Sequence, residues 1–202
     1  MHIVLVQTEH PEAVDGAVDG SYAALADRLR AAGADMVDRV PYPALDGVDG
    51  ADALVLGGSF APWAAHDEHA LARLGEVVVG QTVPVLGICA GMQLQARFAG
   101  GRVETVRPEP RVGFFQVDVL DDADILAGLG AGAAVYHHHT DAVVGLPPGF
   151  RVLAASAECA VEAIADPARR WWGTQFHPER YDARHPDGQL ILESFVRLAR
   201  GE

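Results

Sequence analysis

The chain has 202 residues, the size of one ordinary domain and long enough to bury a sizeable core. Half of its residues are hydrophobic and 21% are charged, which excludes a disordered chain as the main state. Fifteen basic against 28 acidic residues give a formal net charge of -13, with no clustered basic patch, so no nucleic-acid partner is expected. No apolar run approaches the roughly 18 residues that cross a bilayer, and the start MHIVLV carries no basic leader. A cytoplasmic protein without membrane contact is expected. Two cysteines, Cys89 and Cys159, cannot staple a chain of this length, so each thiol needs its own explanation.

In chain order, His2 to Val6 is a continuous apolar run, as in a strand covered on both faces. The spacing of Leu25, Leu29 and Ala32 predicts a helix over Tyr22 to Ala32, with Ser21 placed to cap it and Gly33 to end it. Met36 to Val40 and Ala53 to Leu56 are the next strands, the latter ending at Gly57-Gly58. A helix follows over Glu68 to Val79, then the buried strand Val83 to Ile88, then Cys89 and a helical stretch from Met92 to Ala99. After Gly100-Gly101 the segments shorten. Arg102 to Val106, Phe114 to Leu120, Ala133 to Tyr136, Val152 to Ala155, Val161 to Ala165 and Trp171 to Gln175 read as strands, some antiparallel. Gly188 to Arg200 closes the chain as an amphipathic helix. The alternation predicts an α/β fold with an open, mostly parallel twisted sheet and helices on both faces. With no repeat, low-complexity tract or linker, a single domain over residues 1–202 is expected.

Gly87-Ile88-Cys89-Ala90-Gly91 places a cysteine between glycines, after an apolar strand and before a helix. This is the pattern of a nucleophile elbow, a tight turn with no room for nearby Cβ atoms. A helix N-terminus also favours thiolate through its dipole and free N–H groups. The bland alternative is a small buried hydrophobe, the commoner fate of a free cysteine. A thiol nucleophile needs a base and an orienting partner. His177 and Glu179 stand two residues apart at the end of a strand, with Pro178 restraining the loop between them; separately they would be ordinary loop residues. After the strand Leu54 to Leu56, either Gly57 or Gly58 could pair its N–H with that of Ala90 as an oxyanion hole, although Gly-Gly after a strand is usually only a turn. Cys159 has no neighbouring base and is assigned to the core.

Taken together, the Gly57-Gly58 loop, Gly87-Ile-Cys-Ala-Gly-Met-Gln93 and Gly173-Thr-Gln-Phe-His-Pro-Glu179 resemble the class I, or triad, glutamine amidotransferases. The resemblance implies a flavodoxin-like domain of seven-stranded type in which Cys89 attacks the side-chain amide of glutamine. In it His177 transfers protons, Glu179 orients the imidazole, and a glutamyl thioester releases ammonia before hydrolysis to glutamate. By the same match Gln93 helps hold glutamine, and Tyr136 to Val143 lines its pocket through His138, Thr140 and Asp141. Ala90 and Met92 depart from residues common in the family, and Arg111 stands where relatives carry an acidic residue, so the role of that loop is not carried over.

Three adjacent histidines, His137 to His139, suggest a metal when read alone. On a strand only His137 and His139 share a face, and the sequence shows no clear third ligand, so neither metal nor cofactor is expected. No G-x-x-x-x-G-K-[ST] loop is present, which leaves the ammonia-consuming chemistry to a separate synthetase subunit. The expected substrate is L-glutamine. A free-standing γ-glutamyl amide hydrolase using the same triad is the alternative, and a non-enzymatic binding module the third.

Overall fold

The structure, a computed structural model, describes residues 1–202. Strand β1 (His2–Gln7) leads through a 3-10 turn into α1 (Gly16–Ala31), β2 (Met36–Pro41), β3 (Ala53–Leu56), α2 (Glu68–Gly80), β4 (Val85–Ile88) and α3 (Ala90–Phe98). Then follow β5 (Arg102–Thr105), β6 (Arg111–Val119), β7 (Gly132–His139), β8 (Asp141–Gly145), β9 (Arg151–Ser156), β10 (Cys159–Asp166), β11 (Trp171–Thr174) and α4 (Asp187–Arg200). The main sheet has nine strands in the order β2-β1-β3-β4-β11-β10-β9-β6-β7, and β5 pairs with β8 apart from it. From β2 to β11 the neighbours run parallel, and from β11 to β7 they run antiparallel. The sheet is thus wider than the expected seven strands, because the short segments after Gly101 extend one parallel edge as a meander.

The parallel strands are covered on both faces, as their unbroken apolar runs require. Ile3, Leu5, Val55 and Ile88 pack with Leu25 and Leu29 of α1 and Ile191 and Phe195 of α4. Their neighbours Val4, Val6, Leu54 and Leu56 face the other way, against Leu71, Leu74 and Val78 of α2 and Leu94 of α3. Each such fully buried side chain contributes roughly 1.5–3 kcal/mol.

Helix α1 begins earlier than its apolar spacing indicates. Asp15 caps it, its Oδ1 accepting from the N–H groups of Ala17 and Val18 at 2.9 Å. Ser21 lies one turn inside and donates to the Ala17 carbonyl at 3.1 Å instead, the habit of a mid-helix serine. β8 was not foreseen as a strand, since its pairing with β5 is a contact between distant segments.

Glycines permit the closest approaches. A Cβ on Gly91 would collide with the Leu56 carbonyl of β3, and one on Gly87 would lie 2.6 Å from the Gly91 carbonyl carbon. Gly91→Ala is therefore expected to destabilise the protein by about 3 kcal/mol. Gly20→Ala, in α1 with nothing within 4 Å of the new methyl, is expected to stabilise it by about 0.5–1 kcal/mol. Denaturant midpoints of the two variants check both signs.

Candidate active site

Four parallel strands, β1, β3, β4 and β11, end at one edge of the sheet, the edge where open α/β sheets bind ligands. After β4 the chain turns into α3 through Cys89, whose φ of 53° and ψ of −109° are left-handed for a residue with a Cβ. Such a conformation costs on the order of 1–3 kcal/mol and persists only where the surroundings enforce it. Here the Cys89 N–H donates to the Thr174 carbonyl at 2.7 Å, and the Cys89 carbonyl accepts from the Gln93 N–H at 3.1 Å. The elbow is thereby stitched to β11 on one side and to the first turn of α3 on the other.

His177 follows β11 and is fixed from β7, its N–H donating to the Tyr136 carbonyl at 2.7 Å. Pro178 starts a single 3-10 turn that brings Glu179 Oε1 to 2.8 Å from His177 Nδ1. The carboxylate thus accepts the hydrogen bond of Nδ1–H and leaves Nε2, which is buried and has no partner in the chain. Burial pushes the imidazole towards neutrality, but the charges of Glu179 and Cys89 prevail and raise its pKa to about 10. Cys89, 3% exposed, lies with His177 around Gly58. A Cβ there would be 2.9 Å from His177 Cε1 and 3.6 Å from Cys89 Cβ.

The two glycines after β3 are not equivalent. Gly57 donates its N–H to the Val6 carbonyl at 3.1 Å, continuing the β1–β3 ladder, so it cannot also serve an oxyanion; that candidate is corrected. The N–H groups of Gly58 and of Ala90 have no acceptor in the chain, the latter because it opens α3. Carbonyls in this loop are pinned by β1 and α1: Thr8 Oγ1 donates to Gly57 and Gly58 at 2.7 and 3.0 Å, and the Tyr22 hydroxyl to Gly58 at 2.5 Å. Buried Glu9 holds the next stretch, accepting from Ser59 Oγ at 2.8 Å and from the N–H groups of Phe60 and Ala61 at 2.6 and 3.1 Å. Sequence reasoning missed Glu9, since nothing local marks a carboxylate whose partners lie 50 residues on.

A cavity of about 550 Å³ opens over Cys89, lined among others by Ala90, Gln93, His138, Thr140 and Asp141. All the residues expected around a substrate thus share one wall with the thiol. Gln93 is less free than expected. Its Nε2 donates to the Asp141 carbonyl at 2.9 Å and to Gln175 Oε1 at 3.1 Å, and its Oε1 accepts from Trp63 Nε1 at 3.2 Å. It braces the cavity. Gln175, also unforeseen, directs its Nε2 to Cys89 Sγ at 3.7 Å, and the His138 carbonyl lies 3.9 Å from the same sulfur. His177 and Glu179 are outside this wall, facing a separate cleft of about 30 Å³ with Glu9, Tyr22 and Gly58. The thiol therefore stands between the cavity and its imidazole. Met92 is wholly buried, its Cγ 2.6 Å from where a Gly173 Cβ would sit, so it fills core rather than pocket.

Behind the cavity wall His137 and His139 are buried with Glu162 of β10. Burial, aided by neighbouring positive charges, lowers His137 to about 3 and His139 to about 4. Burial raises Glu162 to about 7. Arg111 stacks on Phe115 with 3.8 Å from Cζ to the ring centroid and lies 3.6 Å from Glu158. Cys159 is core, as expected: buried, its thiol pushed up to about 11 chiefly by burial.

A strained thiol on a strand-to-helix turn, a carboxylate-held imidazole and unspent N–H groups at one sheet edge are the parts of a thiol-dependent acyl-transfer site. The family model "Glutamine amidotransferase class-I" matches residues 13–198, and the chain belongs to this family of glutamine-hydrolysing enzymes. The glutamine-hydrolyzing GMP synthase subunit of Methanothermobacter thermautotrophicus is 36% identical over 74% of this chain and 75% of its own. The protein of the same name from Sulfolobus acidocaldarius is 32% identical over 85% of this chain and 89% of its own. A crystal structure of a Thermoplasma acidophilum protein described as a GMP synthase subunit superposes with a TM-score of 0.84, covering 100% of this chain and 94% of that one at 28% identity. A glutamine amidotransferase of Thermotoga maritima, 17% identical, shares the fold with a TM-score of 0.76 over 100% and 98% of the two chains. No helix is long and apolar enough to cross a membrane.

Because the Glu179 charge is what holds His177 up against burial, Glu179→Gln should lower the His177 pKa from about 10. The proton that His177 keeps through neutral pH would then be lost at a lower pH. An NMR titration of the His177 ring in both proteins reads the direction; an unchanged midpoint would refute it.

Proposed function

We propose that this chain is the glutaminase component of a two-subunit GMP synthase, forming a single catalytic domain over residues 1–202. It hydrolyses L-glutamine through Cys89 and passes ammonia to a separate synthetase subunit. The observation that carries the mechanism is Cys89, held at a left-handed φ of 53° on the β4–α3 turn, beside an imidazole whose other nitrogen is taken by Glu179 at 2.8 Å. With its proton already on His177 Nε2, the sulfur adds to the side-chain amide carbon of glutamine. The N–H groups of Ala90 and Gly58 hold the developing oxyanion. As the C–N bond breaks, His177 returns the proton to the departing nitrogen, and the raised pKa suits it to hold that proton until then. Water, deprotonated by the now neutral His177, then opens the thioester to glutamate and frees the thiol.

Within the cavity, Thr140, Asp141 and His138 stand within reach of the substrate, and Gln93 supports their wall. A separate acceptor protein is favoured by the relatives named as single subunits of a GMP synthase, which match over most of their own length. The protein works in the cytoplasm, where both its unpaired cysteines stay reduced.

Glutamate and ammonia release is to be measured for wild type and Cys89→Ala, with and without the synthetase component of a two-subunit GMP synthase and with γ-glutamyl amides alongside. Cys89→Ala should lose at least about a thousandfold in turnover, and the synthetase should raise wild-type turnover and make GMP with glutamine as nitrogen source. Activity persisting in Cys89→Ala would overturn the mechanism. Preference for γ-glutamyl amides over glutamine would replace the synthase reading by that of a free-standing hydrolase.

A further inference from the structure

The histidine pair behind the cavity has a third partner that spacing along the sequence does not reveal. His137 and His139 project from the same face of β7, and the meander places Glu162 of β10 against them. One ligand atom from each lies within 4.8 Å of the other two, and all three residues are buried. His137 Nδ1 is 3.7 Å from Glu162 Oε2. Neither ring nitrogen of His137, nor His139 Nε2, nor Glu162 Oε2 has a hydrogen-bond partner. Leaving buried polar atoms unsatisfied is costly, and one from each of three residues gathered within 4.8 Å of one another is unusual in a native core.

The atoms around these are already oriented. His139 Nδ1 lies 3.1 Å from the Asp141 carbonyl; a carbonyl can only accept, so the proton sits on Nδ1 and the Nε2 lone pair faces the cluster. Glu162 Oε1 accepts from Ser156 Oγ at 2.7 Å, which leaves Oε2 towards His137. A backbone carbonyl on the far nitrogen of a histidine and a hydroxyl on the far oxygen of a carboxylate are the outer contacts that fix metal ligands. Phe115 and Phe176 pack beside His137, with ring centroids 5.7 and 6.0 Å away, and close those sides to water. The nearby guanidinium groups of Arg107 and Arg111 are turned to Glu158, at 3.1 and 3.6 Å. His139 also lines the cavity, which gives an ion a way in.

We propose that His137 Nδ1, His139 Nε2 and Glu162 Oε2 bind a divalent transition-metal ion, zinc by the chemistry of the donor set. Two imidazoles and one carboxylate suit Zn²⁺, with ligand bonds of about 2.0–2.2 Å in a tetrahedral arrangement. That geometry sets neighbouring ligand atoms about 3.4 Å apart, so the His137–Glu162 spacing is nearly met and the rest closes by side-chain movement. A fourth position remains for water. The ion clamps β7 to β10 directly behind the wall formed by His138, Thr140 and Asp141, so its site is structural and distinct from Cys89.

The metal-stripped full chain is to be titrated with Co²⁺ at neutral pH, followed by its visible absorption, then with Zn²⁺, with bound metal counted by atomic emission. One Co²⁺ per chain with tetrahedral bands, displaced by Zn²⁺, is expected. Glu162→Gln, which retains the Ser156 contact, and His137→Gln should each weaken binding at least tenfold, and Cys89→Ala should bind as wild type does. Zn²⁺ should raise the wild-type melting temperature but not that of Glu162→Gln. Absence of stoichiometric binding by wild type overturns the proposal whether or not the variants fold, as does binding that survives both substitutions or is lost in Cys89→Ala.

Discussion

The site depends on a backbone conformation that an L-amino acid avoids. Cys89 is held in the left-handed region because the β4–α3 turn is pressed between β3 and β11. The Thr174 carbonyl takes its N–H, Gly91 lets α3 lie on the Leu56 carbonyl, and Gly87 and Gly173 make room for Gln95 and Met92. The strain is offset by the burial of two parallel strands and a helix, so the elbow is only as good as the packing beneath it. The same parallel packing delivers Glu9, Gly58 and His177 to that edge, from β1, β3 and β11.

Two sets of histidines illustrate how local charge overrides burial. His177 is as buried as His137, yet its pKa rises while that of His137 falls to about 3. The difference lies in the partner. Glu179 sits at hydrogen-bonding distance from His177, whereas Glu162 stands 3.7 Å from His137 and is itself pushed towards the protonated form by burial. One imidazole is arranged to hold a proton, the other to offer a lone pair.

The antiparallel half of the sheet serves the parallel half as a wall. β7 fixes the backbone of His177 through Tyr136, and its end carries His138 over the sulfur. Gln93 ties that corner back to α3 through the Asp141 carbonyl, so the cavity floor and its wall are one hydrogen-bonded unit. Both faces of β7 are thus employed, one towards the thiol and one towards Glu162.

Cys89, His177 and Glu179 were legible in the sequence because each belongs to a short motif whose chemistry depends on adjacent residues: glycines around a tight turn, and a carboxylate two positions from an imidazole. The alternation of apolar runs with helical spacing likewise made the α/β fold and most of its strands legible, since backbone periodicity is a local property. The sequence by itself therefore determined the class of fold, the position of the elbow and the pairing of His177 with Glu179. Tertiary structure alone decided between Gly57 and Gly58, because the choice rests on which N–H the Val6 carbonyl takes. It also decided that Glu9 braces a loop 50 residues away, that Gln175 reaches the sulfur from 86 residues on and that Glu162 meets the histidines of β7. Such contacts are set by sheet order and register, and no pattern within a few residues encodes which strands become neighbours.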